Sequence, residues 1–513
     1  MTATASNPLR EGMSLRRAVD SAVIVVLGAT GDLAGRKLMP ALFNLARAGH
    51  LPARYAVLGY ARRPKSDAEY RADTVAALHE FSRTKPTAEE AEAFLAHVYY
   101  QQGNLDDADH FAGLRERIEA LEAQLGLSGS RLVYFAISPE HFRCAIDLLH
   151  TQRVIEPHRE GPMHRIVVEK PFGEDLESAR RLNREILSRF VERQVFRIDH
   201  YLGKETVQNI LAFRFANSIF EPLWTSRHVE SVQITVAEDV GMPGRRGQYF
   251  DKAGILRDIV QNHALQLLCL VAMEPPASLD AESLRDEKVR LLRAIPVMAP
   301  EEVRRHVVRG QYGAGSLMGK AVAGYREEEA VARDSVTETY VALRLQVRNW
   351  RWAGVPFLLR SGKRLPKRAT EIAVVFKEPP HQIFRDVRIA PIQNTLVIRI
   401  QPDEGISLSF DAKRPGLSME LQPVKMDFRY GSSFGSPSPE AYERLLLEAL
   451  AGDGSLFTRA DEIELAWERI SAIHDTWNAD PPPADFPNYE AGTWGPADAE
   501  RLVADLSHKW RRL

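Results

Sequence analysis

Apolar residues follow two rhythms along this chain, and the change between them falls near residue 205. The first clear pattern is residues 21–27, Ser-Ala-Val-Ile-Val-Val-Leu, a β-branched run that stops at Gly28 and predicts a strand buried on both faces. Beyond it Leu38, Leu42, Leu45 and Ala46 recur at helical spacing until Gly49, and residues 55–58 read as a second buried strand. That is a βαβ unit. Strand-like runs at 132–137, 166–168 and 195–198 then alternate with helical stretches at 115–125, 142–149 and 175–190. The alternation predicts an α/β domain with a doubly wound, mostly parallel sheet.

Past residue 205 the runs at 229–236, 339–347, 372–376, 396–400 and 406–410 are separated by loops more often than by helices. They predict an α+β domain with a large, mostly antiparallel sheet. Helices near 255–273 and 441–450 are expected to cover one of its faces, and the prolines at 481–483 open an irregular C-terminal segment. The expected organisation is a mobile tail over 1–21, a dinucleotide-binding domain over 22–204, and a substrate-binding and dimerisation domain over 205–513.

Composition narrows the functional classes. Sixty-seven Lys and Arg against 69 Asp and Glu leave a formal charge of -2, so no global field favours nucleic acid or an anionic membrane as partner. Cys144 and Cys269 match no metal-ligand or thiol-redox spacing and sit among apolar residues. No run of eighteen apolar residues and no signal-like N-terminus is found, which together predict a cytoplasmic protein.

The turn after the first strand reads Gly28-Ala29-Thr30-Gly31-Asp32-Leu33 and enters a helix. Glycines there let the backbone approach a pyrophosphate, and unpaired helical amides receive its charge. The setting marks a Rossmann-like dinucleotide site, although Thr30 and Ala34 replace the second and third glycines of the usual pattern. Without a ligand the same residues would be a tight strand-to-helix turn. An NAD site places an acid at the end of the second strand; here that strand runs into Arg62 and Arg63, whose guanidiniums suit a 2′-phosphate. An isolated Arg-Arg pair would be a solvated turn, but beside the fingerprint it predicts NADP, with some use of NAD compatible.

Chemistry concentrates in three later segments. Glu169-Lys170-Pro171 ends a buried strand, where ligands of doubly wound folds bind. Asp199, His200, Tyr201 and Lys204 gather at another strand end, offering both proton-handling and phosphate-binding groups. Farther on, Ile259, His263 and Leu267 are four apart, which puts an imidazole on an apolar helical stripe. A lone histidine there is ordinarily a satisfied core residue.

The stretch Arg-Ile-Asp-His-Tyr-Leu-Gly-Lys at 197–204, and Gly-Ile-Leu-Arg-Asp at 254–258 followed by Asn262-His263, resemble the glucose-6-phosphate dehydrogenase family; the likeness runs from about residue 22 to the C-terminal segment. The resemblance implies hydride transfer from the anomeric carbon of glucose 6-phosphate to NADP, giving the phosphogluconolactone, the first step of the oxidative pentose phosphate pathway. It implies that His263 is the general base and Asp199 its support, and that His200, Tyr201 and Lys204 grip the phosphate. It places Lys170 between substrate and nicotinamide, gives Glu238 and Asp258 the sugar hydroxyls, and adds Lys363, Arg368 and Gln401 to the substrate site. It also implies a homodimer or homotetramer. No metal is required, and a phosphate dianion would draw on His200, Lys204, Lys363 and Arg368 from both domains.

Some family members bind a second NADP through basic and aromatic residues in the second domain. Here Ala369, Ala373, Ser407 and Ser409 stand at those positions, so one NADP per chain is expected. Two other readings remain: a Glu-Lys-Pro dehydrogenase of an unphosphorylated sugar, and a nucleotide-binding regulator without chemistry. The cations around Lys204 oppose the first; the presence of both Asp199 and His263 opposes the second.

Overall fold

The computed structural model describes residues 21–157, 161–244, 246–381, 383–384, 393–434, 438–481 and 484–513. The expected tail falls almost wholly outside them. The chain divides into two compact units: residues 1–170, 184–198 and 442–456 form the first, and residues 171–183, 199–441 and 457–513 the second.

Six strands of the first unit are β1 (Ser21–Leu27), β2 (Arg54–Ala61), β3 (Val98–Gln102), β4 (Arg131–Phe135), β5 (His164–Val168) and β6 (Val195–Ile198). They lie in the order β6-β5-β4-β1-β2-β3, every neighbour pair parallel. The strand order reverses between β1 and β4, the crevice at which doubly wound sheets bind ligands. All seven residues of β1 are buried, as an uninterrupted apolar run requires. Unforeseen were β3 and the helices Asp67–Phe81 and Ala88–Leu95, whose apolar stripes are thin. Both helices nonetheless begin with capping boxes, Ser66 with Glu69 and Thr87 with Glu90, which the sequence displays.

The helix at Ala441–Ala451 corrects one expectation. It was expected to cover a face of the second sheet, yet residues 442–456 cluster with the first unit. The reason is Glu443, a buried carboxylate that accepts from Asn44 Nδ2 at 2.9 Å and from Arg83 Nε at 2.9 Å, both in the first unit. A buried charge goes where its partners are.

The second unit carries an eight-stranded sheet. Its strands are β7 (Val229–Ala237), β8 (Val307–Gly310), β9 (Tyr340–Gln346), β10 (Pro356–Gly362), β11 (Ala369–Phe376), β12 (Thr395–Gln401), β13 (Gly405–Lys413) and β14 (Leu421–Arg429). The order is β14-β13-β12-β11-β7-β10-β9-β8, antiparallel throughout except β7 against β10. Strands β8, β10 and β14 were not expected from the sequence pattern. Strand β10 opens on a proline and is buried along its whole length, so it has no alternation to detect.

The helix expected near 255–273 is also different in kind. Helix Arg246–Ile255 is interrupted at Gly254, with φ 68° and ψ 170°. Leu256–Ala264 follows in π register, and Leu265–Ala272 resumes as α-helix. Ile259, His263 and Leu267 are all buried, but a four-residue stripe is not the cause, because the chain closes i→i+5 bonds there and is buried on every side beyond His263.

Candidate functional site

In the first unit the nucleotide-binding turn is built by backbone. Gly28 sits at φ 82°, its amide donates to Tyr60 O at 2.8 Å, and a Cβ there would run into the Ala136 carbonyl. Gly31 N donates to Gly28 O at 2.9 Å, which folds the loop tightly over the end of β1. Ala29 is buried beneath it, Thr30 and Leu33 are half-buried, and Gly31 and Asp32 are exposed, Asp32 pairing with Arg36 at 2.8 Å. This is a cradle a Cβ would fill, so a dinucleotide pyrophosphate fits it.

The pairing of β1 with β2 sets Leu27 opposite Tyr60, so the residues after β2 stand beside this loop. Arg62 and Arg63 are exposed there, and the Arg63 carbonyl accepts from the Tyr100 hydroxyl at 2.5 Å. The first acid beyond them, Asp67, is engaged by the Tyr100 amide at 2.7 Å and by Arg117 at 3.0 Å. After β2 the chain thus carries Arg62, Arg63 and Lys65 before its first acid.

Lys170, half-buried, follows β5. Its neighbour Glu169 is buried and accepts from Tyr134 Oη at 2.5 Å. Burial raises its carboxyl above the ordinary range, against the opposing hydrogen bonds of Tyr134 and Tyr442 and the charge of Lys170.

In the second unit strand register assembles the substrate-like cluster. Parallel pairing sets Ala237 opposite Gly362, so Glu238 and Lys363 emerge side by side. Antiparallel pairing sets Ala369 opposite Ala237 and Thr370 opposite Gln401, which brings Arg368, Thr370 and Gln401 to the same edge. The segment 199–204 joins them through Lys204 Nζ, which donates to Gln401 Oε1 at 2.6 Å, and Thr206 Oγ1, which donates to Ile400 O at 3.3 Å.

His263 and Asp199 are 1% and 2% exposed, and His263 Nδ1 lies 2.5 Å from Asp199 Oδ1. The same oxygen accepts from the Tyr201 amide at 3.0 Å. Burial alone would raise the Asp199 carboxyl; the charge and hydrogen bond of His263, with His200 and the Tyr201 amide, outweigh it and hold the group down at about 2. An ionised carboxylate only accepts, so the Nδ1 hydrogen belongs to the imidazole and Nε2 is the nitrogen left to take a proton. The Tyr201 ring stacks on the His263 ring at 4.3 Å and 16°, and His200 meets it edge-on at 4.5 Å. Burial pushes the Tyr201 phenol up to about 12 despite its bond to Thr370, so it is neutral.

Lys363, grouped with the phosphate cations, lies between two carboxylates, bonded to Glu238 and to Asp258 Oδ2 at 3.1 Å. Its ammonium orders both acids. Asp199, His200, Tyr201 and Lys204 cluster with the second unit. Arg368 is exposed and within electrostatic reach of Tyr201. Thr370, which donates to or accepts from Tyr201 Oη at 3.2 Å, was missed; only the strand register reveals it.

Asp199, His200 and His263 also bring one potential ligand atom each within 4.8 Å, a single such group among the described residues. Ala369, Ala373, Ser407 and Ser409 are buried in the sheet, and Ser407 Oγ accepts from Arg399 at 3.2 Å. Among the described residues no helix is long and apolar enough to cross a membrane.

Two family models match: "Glucose-6-phosphate dehydrogenase, NAD binding domain" over residues 25–209 and "Glucose-6-phosphate dehydrogenase, C-terminal domain" over residues 211–511. The chain is 43% identical over 507 residues to glucose-6-phosphate 1-dehydrogenase of Chlamydia pneumoniae, spanning 98% of each chain. It is 45% identical over 509 residues to glucose-6-phosphate 1-dehydrogenase 2 of Mycobacterium tuberculosis, spanning 99% of this chain and 98% of that one. Among solved structures, a glucose-6-phosphate dehydrogenase in complex with its substrate glucose-6-phosphate superposes with a TM-score of 0.87 at 36% identity, spanning 97% of this chain and 99% of that chain. The Mycobacterium avium glucose-6-phosphate 1-dehydrogenase gives 0.82 at 35% identity, spanning 96% of this chain and 99% of that chain.

Proposed function

We infer the reaction from one premise: this chain belongs to the glucose-6-phosphate dehydrogenase family, both of whose domain models it matches. It is an oxidoreductase acting on a CH–OH donor, oxidising glucose 6-phosphate at its anomeric carbon to the 1,5-lactone. The observation that carries the site is the buried His263–Asp199 pair. The C1–H bond gives up its hydride as the O1–H proton leaves, so the reaction needs a base aimed at O1. His263 Nε2 takes that proton, and the Asp199 carboxylate stabilises the imidazolium that forms. Tyr201, stacked on the ring, restricts its rotation.

His200, Lys204 and Arg368 hold the phosphate at the N-terminus of the helix Glu205–Phe215, whose dipole favours the dianion. Glu238 and Asp258, ordered by Lys363, accept hydrogen bonds from sugar hydroxyls. Tyr201 and Gln401 complete the substrate contacts.

Gly28 to Leu33 receive the cofactor pyrophosphate, Arg62 and Arg63 its 2′-phosphate, and Lys170 stands between cofactor and substrate. The cofactor supplies the hydride acceptor. With two guanidiniums ahead of the first acid after β2, NADP is preferred over NAD. The buried Ala369, Ala373, Ser407 and Ser409 leave one NADP per chain. We place the enzyme in the cytoplasm, as a homodimer or homotetramer. Nicotinamide reduction by the purified chain, compared for glucose 6-phosphate and glucose with each cofactor, tests the reading. Turnover of glucose with none of its phosphate ester would overturn it.

A further inference from the structure

The segment that carries Asp258 and His263 is wound in π register. In an α-helix residues five apart lie roughly 140° apart around the axis, pointing away from each other. In π register, with more residues per turn, that angle shrinks and places both on one side of the helix. Asp258 meets Lys363 while His263 meets Asp199, and the helix must keep this register for both.

A π turn is rare because it gives up α-helical bonds, so something must hold it. Two side chains outside the contacts assigned above do so. Asn262 bridges the widened turn: its Nδ2 donates to Arg257 O, five residues back, at 3.3 Å, and its Oδ1 accepts from His263 N at 2.6 Å. Glu338 holds the start. Its main-chain oxygen accepts from Ile255 N at 3.0 Å and its Oε1 from Leu256 N at 3.2 Å, the first residue of the π segment. The Gly254 turn leaves room for this carboxylate, into which a Cβ at Gly254 would run. Glu338 is buried, and burial raises its carboxyl, so an amide of the same shape would serve as acceptor equally well.

We propose that Asn262 and Glu338 are positioning residues that hold the catalytic helix in π register and thereby align His263 with Asp199. The proposal rests on the assignment of His263 as base. Asn262→Ala, Glu338→Ala and Glu338→Gln are compared with wild type and with His263→Asn, each as the full chain. Turnover is expressed per cofactor site counted by NADPH fluorescence titration, so unfolded protein does not enter the figure.

Each alanine variant loses about tenfold or more in kcat per titrated site, the scale of a small misplacement of a reacting group. NADPH affinity stays within about twofold, and Glu338→Gln keeps kcat within about threefold of wild type. Asn262 is half-buried, so its truncation is readable independently of any folding defect from Glu338→Ala. Wild-type kcat per titrated site in Asn262→Ala, or Glu338→Gln as impaired as Glu338→Ala, overturns the proposal. Full turnover in His263→Asn overturns the base assignment instead, and a dead His263→Asn beside a fully active Asn262→Ala confines the failure to positioning.

Discussion

The two units build their sites by opposite means. The nucleotide cradle of the first is a backbone shape, one glycine at φ 82° and a loop folded over a strand end, with exposed arginines beside it. The cluster of the second is made of side chains, with a buried imidazole and carboxylate 2.5 Å apart and a cation lying between two acids. Backbone sites tolerate loss of a side chain because the amides remain. Side-chain clusters do not, since removing one partner strands the other out of water. Burial and partner pull buried carboxyls in opposite directions: Glu169 and Glu338 are raised by burial, whereas Asp199 is lowered by its imidazole.

The largest effect should come from breaking the second cluster. His263→Asn is expected to lower kcat by at least about a hundredfold, the lower range for loss of a general base, with NADP affinity unchanged. Steady-state kinetics beside a cofactor titration checks both, and a variant with most of its activity would refute the role. Asp199→Asn should act in the same direction, because an amide neither fixes the Nδ1 hydrogen nor stabilises the imidazolium.

Next in size is Lys204→Ala. Loss of one charge-assisted contact costs roughly 1.5 to 3 kcal/mol, about one to two powers of ten in KM for glucose 6-phosphate. Any residual turnover of glucose should be spared. Equal damage to both substrates would make the lysine structural.

A smaller and more selective loss is expected in the exposed cradle. Arg62→Ala should weaken NADP by about tenfold and leave NAD nearly untouched, because only NADP carries the phosphate that a guanidinium clamps. Measured constants for the two cofactors that move together would shift the role to Arg63 or elsewhere.

Smallest is the pH test of the Glu169 and Asp199 carboxyls. A raised folded-state pKa makes Glu169 favour folding at low pH, and that contribution is lost as pH rises through its ordinary value toward the folded one. Glu169→Gln cannot ionise, so its melting temperature relative to wild type should improve as pH rises above the ordinary carboxyl range. A difference that stays constant as pH rises would count against the burial effect. Asp199 has the opposite sign: its contribution is present above about pH 4 and disappears as pH falls toward about 2.

Sequence by itself determined the parts whose physics is local. The run at 21–27 could only be a buried strand, the glycine turn had to follow it, and the basic pair after β2 needed only strand adjacency to reach that turn. Even the missed helices at Asp67–Phe81 and Ala88–Leu95 had their starts written in capping boxes. Tertiary structure alone decided what depends on partners far along the chain. Lys363 became the partner of Glu238, 125 residues away, because two strands pair in parallel. The helix at Ala441–Ala451 joined the first unit because Glu443 found its donors at Asn44 and Arg83. The π register of Leu256–Ala264 is the sharpest case, since the same residues would suit an α-helix and the carboxylate that meets its first amide lies 82 positions downstream. Propensity acts over a few residues, whereas a buried polar group takes its place from whichever partner satisfies it.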